Sequence, residues 1–254
     1  MNKLFKVLAI LTFGVCVNAG TVLAENLSAD DIASALSSAD RSDSDQQRDA
    51  GRKPVQVLEF LGVEDGATVL DVMAGSGYYT EVFSAVVGQE GKVYAHNPDW
   101  MLQFMKGVVD KAVSGRLAGN RLPNVVRVDG ALGTSGIPES SVDIAFTALN
   151  FHDVYYDFGE ESALQLLEDV YRLLKPEGRL LLIDHNGADG TAAETQARLH
   201  RMPESLVKAL VDKSRFSLVA ESDLLANPED DLSQMVFAKG LRGATDRYVL
   251  LLSK

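Results

Sequence analysis

The sequence has almost no cysteine and comparatively few cationic side chains. Cys16 is the only cysteine among 254 residues, and Asp and Glu outnumber Lys and Arg by 36 to 24, which gives a formal net charge of -12. One cysteine cannot form a disulfide within the chain, so the fold depends on packing. The acidic balance argues against a nucleic acid as partner and against docking on an anionic membrane surface. Small molecules, cationic ones included, remain the partners that the composition allows.

Residues 1–24 have the pattern of a secretory signal peptide. Lys3 and Lys6 precede the apolar run Val7–Val17, and small residues lead up to a cleavage site after Ala24. The run is shorter than the ~20 residues that a spanning helix needs. We therefore expect a periplasmic or secreted protein with no stable membrane anchor after cleavage. An uncleaved anchor is the alternative.

The segment after the predicted cleavage site, residues 25–54, is the least hydrophobic part of the chain. Ser28 with Asp31 three positions later is typical of a helix N-terminus. Residues 37–53 are polar and rich in Asp and Arg, which is compatible with a solvated linker or with a helical flap that folds over a ligand. The composition favours the linker. We interpret residues 55–254 as one domain.

From residue 54 onward, apolar β-branched runs alternate with helical patterns. Such alternation predicts an α/β fold in which helices cover both faces of a mainly parallel, buried sheet. The predicted strands are residues 67–72, 92–95, 125–128, 142–148, 179–183, 216–220 and 247–252.

The first predicted strand ends in a glycine turn. In open α/β sheets, ligands bind beyond the carboxyl ends of the strands. Gly75 and Gly77 allow a tight turn and a close approach of the backbone to a ligand, because neither carries a Cβ atom. The helix that begins near Tyr78 offers unpaired N–H groups to an anion, and Asp71 before the turn suits an ammonium group. Charges of both signs at short range favour an amino-acid-like ligand.

The same turn argues against a nicotinamide dinucleotide. A dinucleotide fingerprint has a third glycine, but Thr80 occupies that position here. Asp71 would also repel a pyrophosphate that lies on the helix N-terminus.

Val69–Thr80 resembles motif I of the class I S-adenosylmethionine-dependent methyltransferases, in which an acidic residue is followed by x-x-x-Gly-x-Gly. Further segments are similar to later motifs of that family in the same order: 91–97, 129–131, 138–143 and 173–179. The resemblance covers roughly residues 55–254. Within this family, the sequence resembles a bacterial group of predicted methyltransferases that carry signal peptides. Three more segments carry this closer resemblance: 77–80, 150–153 and 243–249.

The resemblance implies a Rossmann-like class I methyltransferase fold, with a mainly parallel seven-stranded sheet, helices on both faces and the strand order 3-2-1-4-5-7-6. It implies that S-adenosylmethionine is the cofactor and that its methyl group passes to a small-molecule acceptor. The cofactor-binding residues implied are Asp71, Met73, Ala74, Gly75, Ser76, Gly77, Tyr79, Asn97, Asp129, Gly130, Ala131 and Asn150.

One of these residues departs from the family pattern. The second strand of the family usually ends in Asp or Glu, which binds both ribose hydroxyls, whereas this sequence has Asn97. An amide makes a weaker contact than a carboxylate. If Asn97 contacts the ribose, we expect Asn97→Asp to tighten cofactor binding. Asp129 resembles the family residue that bonds the adenine amino group, with Ala131 beside the ring.

The segment after the fourth strand provides the candidate catalytic residues. His152 is the first candidate for a general base, and Asp153 could orient it or act itself. Alternatively, His152 makes local hydrogen bonds and Phe151 packs over the adenine. Asp184 and His185 show no metal-ligand spacing, so we predict no metal site.

Two charged positions further along the chain have more than one interpretation. Arg201 is either an exposed structural residue or a ligand for an acidic group of the substrate, and Asp230 is expected on a solvated acidic surface.

Two other functions are compatible with parts of the pattern. A non-catalytic, exported binding protein with a methyltransferase-like fold would explain Asn97 and the export signal, since S-adenosylmethionine is made in the cytosol. An NAD-dependent oxidoreductase is disfavoured by Asp71 and Thr80. The acceptor atom and the oligomeric state are not determined by the sequence.

Overall fold

A computed structural model describes residues 26–254 of the protein. The predicted signal peptide, residues 1–24, lies outside the described residues, and so does Cys16. Within residues 26–254, no helix combines the length and the apolar composition that crossing a lipid bilayer requires.

A seven-stranded sheet forms the centre of the described chain, in the order β3-β2-β1-β4-β5-β7-β6. The five strands from β3 to β5 are parallel, and β7 is antiparallel to both β5 and β6. The strands are β1 (Thr68–Asp71), β2 (Lys92–Asn97), β3 (Val125–Asp129), β4 (Val142–Ala148), β5 (Leu174–His185), β6 (Ser217–Ser222) and β7 (Arg247–Ser253). This order confirms the fold class that the sequence predicts.

Helices connect the strands and precede them. They are α1 (Ala29–Ser38), α2 (Asp43–Arg52), α3 (Pro54–Leu61), α4 (Tyr78–Val86), α5 (Asp99–Leu117), α6 (Phe151–Phe158), α7 (Glu160–Leu173), α8 (Ala193–Leu199) and α9 (Glu204–Lys213). The backbone of α5 leaves the helical conformation at residues 104–107, so this helix is kinked.

Both faces of the sheet are covered by apolar side chains. Along β5, Leu180 and Leu182 belong to one buried cluster, whereas Leu181 and Ile183 belong to a second one. Because successive side chains of a strand point to opposite faces, the two clusters lie on opposite sides of the sheet. This double burial explains why the parallel strands consist of nearly continuous apolar runs.

The polar segment before the domain is helical. Ser28 and Asp31 form the predicted capping box at the start of α1. The structure places α2 where the composition favours a solvated linker. The charges of this segment pair with one another: the Arg41 guanidinium is 2.6 Å from the carboxylate of Asp49, and the Arg41 side chain is only 2% exposed. A count of polar residues does not reveal such internal pairing.

Candidate functional site

The loop between β1 and α4 runs in a left-handed conformation at three positions. The φ angles are +55° at Met73, +59° at Gly75 and +82° at Gly77. A Cβ atom built on Gly75 would have no protein atom within 4 Å, so the space in front of this residue is open. This space leaves room for a ligand close to the backbone, and binding of a ligand here stays a prediction. Ala74 and Ser76 are partly exposed at the same edge.

Asn97 at the end of β2 holds this loop in place. Its Oδ1 accepts a hydrogen bond from the N–H of Gly75 at 2.8 Å, and its Nδ2 donates to the carbonyl of Gly75 at 3.0 Å. The residue is 1% exposed. The amide that the sequence assigns to the ribose is thus bonded to the glycine turn, and its contact with a ribose stays a prediction.

His96 links the loop after β1 to the loop after β3. Burial lowers the pKa of His96, so the ring is neutral at physiological pH. Its Nε2 lies 3.0 Å from the carbonyl of Gly130, and its Nδ1 lies 3.4 Å from the N–H of Met73. One tautomer satisfies both contacts, with Nε2–H donating and Nδ1 accepting. From its position beside Asn97, His96 is expected to point into the sheet or toward the adenine; the structure shows it bonded to the two loops.

Asp71 lies buried beneath the glycine turn. It is 2% exposed and accepts a hydrogen bond from the Thr80 hydroxyl at 2.6 Å. Burial raises the pKa of Asp71 to about 7, although the Thr80 hydrogen bond and the positive charge of Arg52 act in the opposite direction. A cation bound beside Asp71 would favour its charged form. Thr80 occupies the position of the third glycine in a dinucleotide fingerprint. In this protein its hydroxyl donates the hydrogen bond to Asp71.

Helix α2 packs against the start of α4. The Tyr78 hydroxyl donates to Asp49 at 2.6 Å, and the Tyr79 hydroxyl donates to the carbonyl of Arg52 at 3.2 Å. The Tyr79 ring, assigned to the cofactor by the resemblance, also contacts the core residue Phe146, with 4.3 Å between ring centroids. These contacts bring the polar N-terminal segment to the glycine turn, at the edge of the sheet where the parallel strands have their carboxyl ends (the cleft).

Arg116 of α5 fastens α2 to the glycine turn. Its guanidinium donates to the carbonyl of Ser76 at 2.6 Å and lies 2.7 Å from a carboxylate oxygen of Asp45. It also pairs with Glu81. Gly77 must lack a side chain at this point, because a Cβ atom there would lie 2.9 Å from Cδ of Arg116.

Arg52, the last residue of α2, lies over the two tyrosine rings at the start of α4. Its guanidinium carbon lies 4.5 Å from the ring centroid of Tyr78 and 5.5 Å from that of Tyr79. Among residues 26–254 no carboxylate forms an ion pair with Arg52, and its charge acts on Asp71. Burial lowers the pKa of Arg52, but an arginine remains charged at neutral pH. Arg52 is not among the residues predicted from the sequence, because it lies in the segment whose composition favours a linker.

A cavity of about 450 Å³ lies between α5 and the end of β3. Asp99, Leu102 and Asp129 are among its lining residues. The Asp129 carboxylate lies 2.8 Å from Nε of Arg127 and is exposed. Gly130 has a φ of +92° and donates its N–H to the carbonyl of Asn97. Ala131 follows as an exposed residue.

On the other side of the glycine turn, Asn150 connects the loop after β4 to the loop after β1. Its Nδ2 donates to the carbonyl of Met73 at 2.8 Å and to the carbonyl of Ala148 at 2.9 Å. Phe151, for which packing over the adenine was one interpretation, is 1% exposed and belongs to an apolar core cluster. The cluster it joins lies within the domain, so the ring is not open to the cleft.

His152 is held between two carboxylates. Its Nδ1 donates to Oδ1 of Asp184 at 2.8 Å, its backbone N–H donates to Oδ2 of the same residue, and its Nε2 lies 3.1 Å from Asp153. Burial opposes protonation, but the charge of Asp184 and the hydrogen bonds to Asp153 and Asp184 raise the pKa of His152 to about 10. The two carboxylates therefore favour the protonated ring as long as no other cation neutralises them. The geometry favours the interpretation of local hydrogen bonding, and the general-base role stays a prediction.

His200 at the end of α8 joins the same group. Its Nδ1 lies 3.2 Å from Oδ1 of Asp153 and 3.4 Å from Nε2 of His152. Because 47 residues separate His200 from Asp153, no local motif indicates that they meet. The donor atoms of these three side chains lie within 4.8 Å of one another, which is a spacing suited to one metal ion.

The structure corrects the interpretation of Arg201 and Asp230. Arg201 is fully buried, and its guanidinium lies 2.9 Å from both carboxylate oxygens of Asp230, which is 7% exposed. Neither residue is on a solvated surface. Arg201 is unavailable to a substrate because its charge is paired inside the domain.

Several known proteins are similar to this chain. Residues 30–141 match the model of the protein-L-isoaspartate(D-aspartate) O-methyltransferase family. The ubiquinone/menaquinone biosynthesis C-methyltransferase UbiE of Ectopseudomonas mendocina is 32% identical over 129 residues, which are 50% of this chain and 45% of the relative. UbiE of Marinomonas sp. is 30% identical over 192 residues, which are 74% of this chain and 64% of the relative. The chain thus spans between about half and two thirds of these two relatives.

Two solved structures are similar in fold. A SAM-dependent methyltransferase from Aquifex aeolicus aligns with a TM-score of 0.57 and 22% identity, over 78% of this chain and 88% of the other. A protein described as a putative methyltransferase (BH2331) from Bacillus halodurans C-125 has a TM-score of 0.56 and 17% identity, over 80% and 99%. The solved structures share the Rossmann-like fold that the sequence predicts, and the family model and the sequence relatives are those of methyltransferases.

Proposed function

We propose that the protein transfers the methyl group of S-adenosylmethionine to a small-molecule acceptor. The observation that carries this proposal is the open turn at Gly75, which follows the buried carboxylate of Asp71. Over the Tyr78 ring at the end of this turn lies the guanidinium of Arg52, which has no ion-pair partner among residues 26–254. A free amino acid carries an ammonium and a carboxylate group on one carbon. Asp71 suits the first group and Arg52 suits the second, so the methionine part of the cofactor fits this turn.

The adenosine part of the cofactor fits the neighbouring cavity. The cavity between α5 and the end of β3 has a volume of about 450 Å³, and Asp129 lines it. Asn97, Gly130 and Ala131 follow the same edge. We propose that these residues hold the ribose and the adenine, as the family resemblance implies. The bound cofactor supplies an electrophilic methyl group, and the protein contributes its alignment with the acceptor.

The acceptor side of the cleft is formed by the segments that follow β4 and β5. The match to the isoaspartate methyltransferase family ends at residue 141, before β4, whereas the alignment with the Marinomonas UbiE covers 74% of the chain. The sequence similarity on the acceptor side is therefore to an enzyme named for a small-molecule pathway. This supports a small molecule, rather than a protein, as the acceptor.

We also propose that the protein is exported and that it belongs to the signal-peptide-bearing group of methyltransferases. The support is the order of basic, apolar and small residues in positions 1–24. Sequencing the N-terminus of protein recovered from the periplasm or the medium of a bacterial host tests this proposal. We expect it to begin at Glu25, and an intact Met1 in a membrane fraction would contradict it.

Calorimetric titration with S-adenosylmethionine, S-adenosylhomocysteine and NAD tests the proposed cofactor. We expect both adenosyl compounds to bind with one site per chain and NAD not to bind. Binding of NAD alone would overturn the proposal. Turnover assays with small aromatic and heteroatom acceptors then separate an enzyme from a binding protein, since the latter would bind the cofactor without ever releasing S-adenosylhomocysteine.

A further inference from the structure

A compact group of metal-ligand side chains lies on the acceptor side of the cleft. His152 and Asp153 stand in the first turn of α6, and His200 follows the last residue of α8. The atoms that meet are Nε2 of His152, Oδ1 of Asp153 and Nδ1 of His200. Two distant segments of the chain thus deliver two imidazoles and one carboxylate to one point.

The spacing of the three atoms matches a metal coordination polyhedron. Their separations are 3.1, 3.2 and 3.4 Å. Zinc binds imidazole nitrogen and carboxylate oxygen at about 2.0–2.2 Å, and a tetrahedron of that size has edges of roughly 3.3–3.6 Å. One ion can therefore touch all three atoms with only small movements of the side chains.

A buried carboxylate fixes the orientation of His152. The Nδ1 of His152 donates to Asp184, which is fully buried and also accepts the backbone N–H of His152. This pairing leaves Nε2 directed at Asp153 and His200. Metal-binding histidines usually donate their second ring N–H to a carboxylate in this way, which fixes the tautomer and raises the basicity of the ligand atom.

The group is accessible to an ion from solution. The side chains of Asp153 and His200 are 23% and 37% exposed, whereas His152 and Asp184 close the site from the inside. Two imidazoles and one carboxylate suit first-row transition metals better than Mg²⁺ or Ca²⁺, which prefer oxygen ligands.

We propose that His152, Asp153 and His200 bind one divalent first-row transition metal ion, and that Asp184 is a positioning residue for His152. Three protein ligands leave at least one coordination position for water or for an oxygen atom of an acceptor. The proposal stands without the proposed methyl transfer, because it concerns the binding of the metal alone. The competing explanation is that the three side chains only hydrogen-bond to one another.

Zinc titration of the full chain tests the proposal. The protein is purified without a polyhistidine tag, treated with a chelator and titrated with zinc chloride by calorimetry; cobalt(II) is titrated separately and followed by visible absorption. We expect one ion per chain and a cobalt spectrum typical of low coordination number. Asp153→Asn and His200→Ala are each expected to weaken zinc binding at least about tenfold, as the loss of supporting groups around metal sites already does.

Asp157→Asn provides a matched control, since Asp157 is an exposed carboxylate one turn further along α6. Its zinc affinity is expected to equal that of the unmodified protein. Asp153 and His200 are partly exposed, so both variants are expected to fold; circular dichroism and thermal unfolding check this. Zinc should raise the melting temperature of the unmodified protein and of Asp157→Asn, but not that of Asp153→Asn. Absence of stoichiometric binding, or equal affinity in all four proteins, would overturn the proposal.

Discussion

The two sides of the cleft are built in different ways. On the cofactor side, backbone groups of the glycine turn are fixed by short-range contacts, such as the pair between Asn97 and Gly75. On the acceptor side, the shape depends on charged side chains from distant segments, with His152 between Asp153 and Asp184. The glycine turn itself is specified by residues 71–77, whereas the charged group on the acceptor side exists only once β4, β5 and α8 have come together. We therefore expect substitutions on the two sides to affect different properties.

The largest effect is expected for Gly75→Val. A branched side chain would occupy the open space in front of the turn, so we expect cofactor binding to be lost in a calorimetric titration. Gly66→Val is the matched control, because Gly66 also has a positive φ, +75°, and also has no atom within 4 Å of a built Cβ. Both variants should lose a similar stability, about 1–2 kcal/mol, from the left-handed backbone. Equal cofactor affinity in the two variants would contradict the assignment of Gly75.

On the acceptor side, His152→Gln should lower stability strongly and leave cofactor affinity nearly unchanged. The substitution leaves the buried carboxylate of Asp184 without its charged partner, which costs about 3–5 kcal/mol in comparable cases. Chemical denaturation at several pH values measures this difference.

The stabilisation that His152 provides should decrease as the pH rises. The pKa of His152 is raised to about 10 in the folded protein from 6.5 in the unfolded chain. The stabilisation of the folded protein by protonated His152 is therefore complete below pH 6.5, and it is lost as the pH rises through about 10. The stability difference between the unmodified protein and His152→Gln should shrink over that interval. A difference that grows with pH would rule out the charged form of His152.

Arg52→Gln should weaken binding of S-adenosylmethionine by about 10- to 100-fold, the amount expected for the loss of a charge-assisted hydrogen bond. Affinity for adenosine, which lacks the amino-acid part, should remain the same. Arg48→Gln is the control, because Arg48 lies on the same helix and over the same Tyr78 ring, at 4.8 Å, but pairs with Asp45. A parallel loss of adenosine binding would show that Arg52 acts through the fold instead.

Asp71→Asn should stabilise the free protein at pH 8 while weakening the binding of S-adenosylmethionine. The pKa of Asp71 is raised from 3.8 to about 7, so its contribution to stability is complete below pH 3.8 and is lost as the pH rises through about 7. An amide avoids burying that charge, and we expect a gain of about 1 kcal/mol or more. Thermal unfolding at pH 4 and pH 8 measures it. An equal effect at both pH values would argue against titration of Asp71.

The smallest effect is expected for Asn97→Asp, and its expected sign differs from that inferred from the sequence. A carboxylate can accept from the N–H of Gly75 but cannot donate to its carbonyl, so the turn loses one hydrogen bond. We expect a destabilisation of about 1 kcal/mol and weaker cofactor binding, measured by thermal unfolding and calorimetry. Tighter binding of the cofactor by Asn97→Asp would instead indicate that residue 97 acts mainly by contacting the ribose.

Much of the fold could be predicted because its signals are local. Apolar runs, glycine positions and helix caps each depend on a few neighbouring residues, and the predicted strand at residues 142–148 has the bounds of β4. The polar segment that contains α2 was harder to interpret. Two of its carboxylates contact residues far along the chain: Asp49 accepts from Tyr78, and Asp45 pairs with Arg116. From composition alone, such charged residues are expected to be solvated. The same limit applies to Arg201, whose partner Asp230 is 29 residues away.

The sequence by itself determined the class of fold and the position of the glycine turn, because both follow from the spacing of apolar residues and glycines within short segments. Only the tertiary structure decided which charges are paired and which remain free. It brought Arg52 to the turn, used the amide of Asn97 to hold Gly75, and joined His200 to His152 and Asp153. The physical reason is that an ion pair or a ligand cluster depends on distance in space, which a linear sequence does not contain.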